Sequence, residues 1–155
     1  MFRLHHGDLD FPCRRGRDLD LEHVARTYLA FSDALAASPG DAEIPGLWAS
    51  DCATALVEAS PELGWRFVLT AAKVAQTQQQ AGAIAAGFLE DLLNLHGPAV
   101  IARIEDTAAR SARMRYLLSG VWASDIDQPT WARVLAARAP GPDMEKGAPQ
   151  PPADG

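Results

Sequence analysis

Apolar residues recur every three or four positions along most of the chain, which is the spacing of one face of an α-helix. A first helix is predicted to begin after Asp18 or Asp20, because either side chain can cap it. Its apolar face consists of Leu21, Val24, Ala25, Tyr28, Leu29 and Leu35. Nowhere do apolar and polar residues alternate as they do in a half-buried strand. The pattern predicts an all-α protein.

Prolines mark the start of four further predicted helices, because proline is favoured in the first helical turn. The clearest start is Ser60-Pro61-Glu62, a cap followed by a first-turn proline and a first-turn acid. The other prolines are Pro45, Pro98 and Pro129. We predict a compact antiparallel stack of six to seven helices, either a bundle or a short HEAT-like array.

Two helix ends carry specific expectations. Gly87 is predicted to bend or break the fourth helix, and His96-Gly97-Pro98 is predicted to end it. The sixth helix is predicted over residues 112–122, with Trp122 facing inward. All four tryptophans (48, 65, 122 and 131) lie at inward helical positions and are interpreted as core residues; the alternative is that one of them is an exposed interface anchor.

The two ends of the chain lack this periodicity. Residues 1–18 contain Gly7, Pro12 and Gly16 and are expected to form a flexible arm. Residues 140–155 contain five prolines and three glycines without an aromatic residue, and are expected to form a disordered tail. The predicted helical domain is therefore 19–139.

Composition places the chain among ordinary globular proteins, with 48% apolar and 22% charged residues. Cys13 and Cys52 do not make a disulfide framework, so a reducing compartment is the simpler interpretation, with Cys52 in the core. A redox pair is the less favoured alternative. Because the sequence shows no signal peptide and no membrane-spanning run, a cytoplasmic location is expected.

Negative charge is unbalanced by positive charge over one long interval of the chain. No basic residue lies between Arg26 and Arg66, and the net charge is −6. This interval predicts an acidic surface on the first three helices that could attract a basic partner protein, or that serves only solubility. The candidate partner-binding residues are Asp33, Asp41, Glu43, Asp51 and Glu58.

Five short segments carry a resemblance: Ser60–Trp65, Ala86–Leu93, His96-Gly97, Ile104-Glu105 and Leu118–Trp122. They resemble a family of small bacterial proteins that is catalogued as a domain of unknown function. Its Gly-x-Leu-Glu-Asp-Leu-Leu core matches residues 87–93, with Phe88 where the family has proline, which favours a helix that continues through Gly87. The resemblance covers about residues 45–138. It implies a helical fold without a known activity, and it points to Glu90 and Trp65.

Glu90 is the sharpest candidate for catalysis, because it lies at the edge of the apolar stripe that contains Leu92. A partly buried carboxylate there could act as a general acid or base, with His96 as the second group of the site. The alternative is structural, with Glu90 bonded to a helix terminus or paired with an arginine. Trp65, Leu92 and Trp122 are predicted to be structural as well.

No motif implies a cofactor or a metal. His5, His6, Asp8, Asp10 and Cys13 match no zinc-ligand spacing. A nucleic-acid-binding surface is a further alternative, which the negative net charge of the chain disfavours. It would consist of Arg103, Arg110, Arg113 and Arg115, together with Arg14, Arg15 and Arg17. The function that the sequence favours is a non-catalytic protein-binding module, an adaptor or an immunity-like inhibitor. An enzyme using Glu90 is the alternative.

Overall fold

Helices account for all regular structure in the computed structural model, which describes residues 13, 19–38, 40 and 43–153. The α-helices are α1 (Leu21–Ala37), α2 (Leu47–Ala59), α3 (Pro61–Val74), α4 (Gln78–Ile84), α5 (Glu90–Arg110), α6 (Ala112–Ser119) and α7 (Gln128–Arg138). A π-helical turn, Ala85–Leu89, joins α4 to α5. The predicted all-α class is confirmed. None of the described helices has the length and apolarity needed to cross a membrane.

Local capping explains where most helices begin. The Asp20 carboxylate accepts the His23 N–H at 3.1 Å, and the Ser60 hydroxyl accepts the Leu63 N–H at 3.1 Å. The same bond, from the backbone N–H three residues on, is accepted by Thr77, Ser111 and Asp127. Each bond satisfies a donor that the first helical turn leaves without a partner, so these starts are encoded in a few adjacent residues.

The segment from α4 through α5 continues where the sequence predicts interruptions. At Gly87 the backbone widens into the π-helical turn and continues, instead of breaking. At His96 the backbone leaves helical geometry (φ −134°, ψ 22°), and the helix resumes through Pro98. Proline lacks an N–H and its ring crowds the preceding turn, so it kinks a helix from inside. The predicted helix end at His96–Pro98 is therefore a kink.

The core forms where α1, α2 and α3 pack together and where α5 packs against α3, α6 and α7. Leu92 is fully buried, and Trp65 is 5% exposed. Gly64 allows the close approach of α3 to its neighbours, since a Cβ at that position would lie 2.7 Å from Leu92 Cδ1 and 3.1 Å from Val57 Cα. These contacts hold α2 and α5 on one side of α3, which brings their exposed faces together.

The inward position predicted for Trp122 is wrong. Helix α6 ends at Ser119, three residues before the predicted end, and the Trp122 residue is 64% exposed. Gly120 follows the helix in tight contact, because a Cβ there would lie 3.0 Å from Ala85 Cβ. The chain then turns into a loop, residues 120–127, that leads to α7. The helical period that placed Trp122 inside therefore stops before it reaches that residue.

The segment after α7 differs from the disordered tail that the sequence led us to expect. Residues 139–153 follow the surface of the helices, and Met144 and Ala148 pack against the core. Arg113 Nε donates to the Pro151 carbonyl at 2.9 Å, and Gln150 Nε2 donates to the Ala75 carbonyl at 3.3 Å. Because these contacts join residues far apart in sequence, composition gives no sign of them.

A disulfide joins Cys13 to Cys52, across 39 positions of sequence. The interpretation of two independent reduced cysteines is therefore corrected, although Cys52 is fully buried on α2 as expected. Two cysteines without a motif carry no sequence signal for pairing, since pairing depends on where the fold places them. The remainder of the N-terminal arm lies outside the described residues.

Candidate functional site

The five acidic residues predicted to bind a partner do not form one surface. Asp51 and Glu58 lie seven positions apart on α2, so they share one helical face, and both are exposed. Asp33 instead accepts a hydrogen bond from Gln80 Nε2 at 2.8 Å, which joins α1 to α4. Glu43 is exposed ahead of α2. Asp41 lies outside the described residues.

The exposed face of α2 forms one wall of a pocket. The second wall is α5, and the loop 120–127 completes the rim. The pocket has a volume of about 290 Å³ and is lined by Thr54, Val57, Glu58, Asp91, Asn94, Leu95 and Asp125. Each element therefore contributes one carboxylate to the same cavity. We call this cavity the acidic pocket.

The negative charges of the acidic pocket are not neutralised by positive charges among the described residues. Partial burial raises the pKa of Asp91 above its usual value, and the negative charges of Glu90 and Glu58 raise it further. Within the described part of the chain, Glu58, Asp91 and Asp125 form no ion pair with an arginine or lysine. Like charges at short range disfavour the ionised form, so a cation in the pocket would relieve this repulsion.

Asn94 lines the same cavity, but its side-chain oxygen lies beneath the pocket surface. Its Oδ1 is buried and accepts no hydrogen bond among the described contacts. A buried acceptor without a donor costs about 1–3 kcal/mol. The part of the pocket open to a cation is therefore formed by the carboxylates.

Glu90 lies next to this pocket and holds its rim. The Trp122 N–H donates to Glu90 Oε1 at 2.8 Å, and the Ser124 hydroxyl donates to Glu90 Oε2 at 3.2 Å. Both carboxylate oxygens of Glu90 are therefore used to fix the loop 120–127 against the start of α5. The same loop carries Asp125 into the acidic pocket.

Two large apolar residues are exposed in this region. Leu95 lines the acidic pocket and is 56% exposed, and Trp122 is 64% exposed on the rim loop. Tryptophan is enriched among the residues that anchor protein interfaces, and Leu95 adds exposed apolar surface beside the pocket. The alternative interpretation of the tryptophans, that one is an exposed anchor, therefore suits the environment of Trp122.

His96, the second residue of the possible catalytic pair, has a separate contact. One of its ring nitrogens, Nε2, lies 2.8 Å from the Val57 carbonyl oxygen, which joins the kink in α5 to α2. Glu90, which precedes His96 by six positions, bonds instead to the loop 120–127 at the rim of the acidic pocket. General acid–base catalysis needs two groups converging on one reacting atom. These contacts give Glu90 and His96 different partners.

The four arginines of the possible nucleic-acid group are also directed to different partners. Arg103 pairs with Glu62, Arg110 Nε donates to the Asp106 carbonyl at 3.2 Å, and Arg115 Nη1 donates to the Ala108 carbonyl at 2.7 Å. Arg113 is 7% exposed and donates to the Ala72 and Ala75 carbonyls at the end of α3. The group is also divided between two helices, because α5 ends at Arg110 and α6 begins after Ser111.

The described residues contain no group of three or more histidines, cysteines or carboxylates close enough to hold a metal ion. Of the N-terminal candidates, only Cys13 is described, and it is bonded to Cys52. The others, His5, His6, Asp8 and Asp10, lie outside the described residues, as do Arg14, Arg15 and Arg17.

Sequence reasoning located part of the acidic pocket. Glu58 was identified from the run without basic residues. The charge run does not include Asp125, Asn94 or Leu95, and Asp91 enters the sequence analysis only within the motif at residues 87–93. A signal existed on α5, since Asp91 and Leu95 are four positions apart and share a helical face. The facing of α2 and α5 across the pocket is a tertiary contact without a sequence signal.

Comparison with known proteins yields one family. The model of DUF6869, a family of unknown function, matches residues 36–141. The match includes α2 to α7 and all the residues that line the acidic pocket. Searches of curated proteins and of solved structures found no match.

Proposed function

This chain belongs to DUF6869, a family of unknown function, and we propose that it is a non-catalytic protein-binding module whose acidic pocket docks a basic segment of a partner protein. The observation that carries the proposal is the convergence of Glu58, Asp91 and Asp125 around one cavity without a described cationic partner. An arginine or lysine side chain of the partner would fill this cavity.

The chemistry of the pocket suits a cationic side chain better than a metal ion. The carboxylates are too dispersed to form a metal-ligand group among the described residues, but they surround a cavity of about 290 Å³. An arginine offers five N–H donors, enough to bond two carboxylates together. Such a side chain is recognised by charge and by hydrogen bonds in the same place.

Apolar anchors would supply the remaining affinity. Leu95 and Trp122 are exposed, and burial of apolar area stabilises a complex by about 25 cal/mol per Å² before the costs of association. The Glu90 contacts hold the Trp122 loop in position, which lowers the ordering cost on binding. Docking would therefore be close to rigid-body.

Asp51 and Glu43 extend the negative charge beyond the pocket. Both are exposed, and Asp51 lies two helical turns before Glu58 on the same face of α2. Exposed charges at the edge of an interface act mainly on the rate of association, through long-range attraction. The proposed role of these two residues is to steer a basic partner toward the pocket.

The two forms of the proposal, an adaptor and an immunity-like inhibitor, share this docking mechanism. In the second form the partner would be a basic toxin enzyme whose working surface the module covers. The enzyme alternative has no observation in its favour, because Glu90 and His96 bond to different partners. Nucleic-acid contact likewise has no convergent basic group among the described arginines.

The proposal is tested by affinity capture from the native host with three immobilised proteins. They are the wild type, the pocket variant Glu58→Gln/Asp125→Asn, and the control variant Asp106→Asn/Glu145→Gln. Each variant removes two negative charges from exposed residues, so net charge is matched. A specific partner is expected on the wild type and the control and is expected to be lost from the pocket variant.

Retention of the same partner by the pocket variant would reject the acidic pocket as the docking site. Retention that falls equally with both variants would show that only net charge matters. A partner that binds the wild type, the pocket variant and the control variant equally well would have to bind another surface.

A further inference from the structure

The segment after α7 is held in a groove by a methionine. Met144 occupies a notch that Gly120 leaves open, because a Cβ on Gly120 would lie 2.8 Å from Met144 Sδ; Gly82 borders the notch at ordinary contact distance, 3.8 Å from the same sulfur. The Met144 N–H donates to the Ser119 hydroxyl at 2.8 Å, which fixes the backbone beside the notch. The notch therefore fits a long unbranched apolar side chain.

Two hydrogen bonds hold the segment beyond the notch. Arg113 Nε donates to the Pro151 carbonyl at 2.9 Å, and the Gln150 side chain donates to the Ala75 carbonyl at 3.3 Å. The first bond uses a main-chain carbonyl of the segment and makes no demand on the residue type at that position, whereas the second uses the amide side chain of Gln150. We refer to residues 142–153 as the strap, and to the surface formed by Ala75, Gly82, Arg113, Ser119 and Gly120 as the strap groove.

The strap contains a hydrogen-bonded turn between Asp143 and Ala148. The Gly147 N–H donates to the Met144 carbonyl and the Ala148 N–H donates to the Asp143 carbonyl, both at 3.1 Å. Gly147 has φ of +79°, a conformation that favours glycine. The turn presents Met144 in a fixed geometry, which reduces the entropy that docking must overcome.

Every residue of the strap groove lies inside the family match of 36–141, and the strap lies outside it. We propose that the strap groove is a docking surface for a segment of a partner chain with a methionine anchor, and that the strap is its exchangeable ligand in cis. A partner segment of this chemistry would replace the strap by filling the notch and accepting from Arg113. This surface is separate in its residues from the acidic pocket.

The chain contains a built-in reporter of strap release. Its two lysines are Lys73, on α3, and Lys146, in the strap. A lysine-specific protease cuts at Lys146 only when the strap leaves the groove, because proteases need several residues in an extended, mobile form. Cutting at Lys73 requires α3 to unfold and therefore reports global unfolding.

The first experiment compares full-length wild type, Met144→Ser and the matched control Glu145→Gln, whose side chain is exposed. Cutting at Lys146 is expected to be at least tenfold faster in Met144→Ser and unchanged in Glu145→Gln, with slow cutting at Lys73 in all three. A second release variant, Gly147→Ala, strains the turn and places its Cβ within 4 Å of no atom. It replaces Met144→Ser if that variant is cut rapidly at Lys73.

The second experiment measures binding in trans. A fluorescent peptide of residues 142–153 is titrated against full-length Met144→Ser and against wild type, with fluorescence anisotropy as the readout. The peptide is expected to bind the Met144→Ser chain at least tenfold more tightly, because the intact strap of the wild type competes for the groove. A peptide in which Met144 is replaced by serine is expected not to bind.

Three results would overturn the proposal. The first is equal cutting at Lys146 in wild type and in both release variants, which would mean that Met144 and its turn do not hold the strap. The second is failure of the peptide to bind a chain whose strap is released. The third is equal binding of the peptide to released and intact chains, which would place it on another surface.

Discussion

The carboxylate of Glu90 accepts the Trp122 N–H at 2.8 Å, and its other oxygen accepts the Ser124 hydroxyl at 3.2 Å. This contact joins the start of α5 to a loop 32 residues later in the chain. It holds Trp122 at the surface and brings Asp125 to the rim of the acidic pocket. Glu90 therefore acts on the pocket by positioning the loop.

Removing this contact is expected to loosen the rim loop. Hydrogen bonds to a charged acceptor contribute about 1.5–3 kcal/mol each when buried, and part of that when solvent competes. We predict that Glu90→Ala lowers the free energy of unfolding by ~1–2 kcal/mol in urea denaturation. Glu90→Gln, which keeps an acceptor for the Trp122 N–H, is the control and is expected to cost less. Equal losses from both variants would contradict the loop-positioning role.

Neutralising Asp91 is expected to stabilise the protein while weakening docking. Burial and the charges of Glu90 and Glu58 raise its folded pKa above the unfolded value of 3.8. The folded state therefore holds the proton more tightly, and the stability that the protonated form contributes is lost as pH rises from 3.8 through the folded pKa. At neutral pH the ionised Asp91 is a cost.

We therefore predict that Asp91→Asn is more stable than wild type at pH 7, by less than ~1 kcal/mol because exposed charges are screened. The difference is expected to disappear as the pH falls below 3.8, where Asp91 is protonated in both states. Chemical denaturation at several pH values measures it. A variant that is less stable than wild type at pH 7 would show that Asp91 has a stabilising partner.

Two helical glycines should respond in opposite directions to alanine. At Gly64 a Cβ would lie 3.1 Å from the Val57 backbone, so Gly64→Ala should push α2 and α3 apart and cost ~1–3 kcal/mol. At Gly82 the nearest atom is Met144 Sδ at 3.8 Å, so Gly82→Ala should gain up to ~1 kcal/mol from helix propensity. Thermal unfolding checks both. A neutral Gly64→Ala would contradict the packing of α2 on α3.

The Cys13–Cys52 disulfide is expected to stabilise the fold. Closing a loop across 39 positions restricts the unfolded chain and is worth about 4 kcal/mol in the loop-entropy model. Reductant should therefore lower the urea midpoint of the wild type. Cys13→Ala, which leaves Cys52 in the core, is expected to show the lower midpoint with or without reductant. An unchanged wild-type midpoint in reductant would contradict this expectation.

Local signals explain why much of the helical pattern could be predicted from the sequence. The side chains of Asp20, Ser60 and Thr77 each accept a hydrogen bond from the backbone N–H three residues later. Each of these helix starts is therefore determined by a few adjacent residues. The burial of Trp65 and Leu92 follows from the helical period in the same way.

Long-range contacts explain what the sequence could not show. Trp122 is exposed because α6 ends early and Glu90, 32 positions away, holds the following loop. The acidic pocket exists because α2 faces α5, and only its Glu58 lay in the charge run that the sequence displayed. Met144 likewise occupies a notch that Gly120, distant in sequence, leaves open. None of these long-range contacts produces a periodic pattern of apolar residues in the sequence.

Docking at the acidic pocket is tested most directly by the rate at which the captured partner associates with the module at low and high salt. Carboxylates that attract a basic segment act on the association rate, and salt screens this attraction. Glu58→Gln/Asp125→Asn is expected to slow association at least tenfold at low salt and to flatten its salt dependence. The charge-matched Asp106→Asn/Glu145→Gln should behave as wild type. Equal rates for the pocket variant and the wild type at low salt would contradict docking at the acidic pocket.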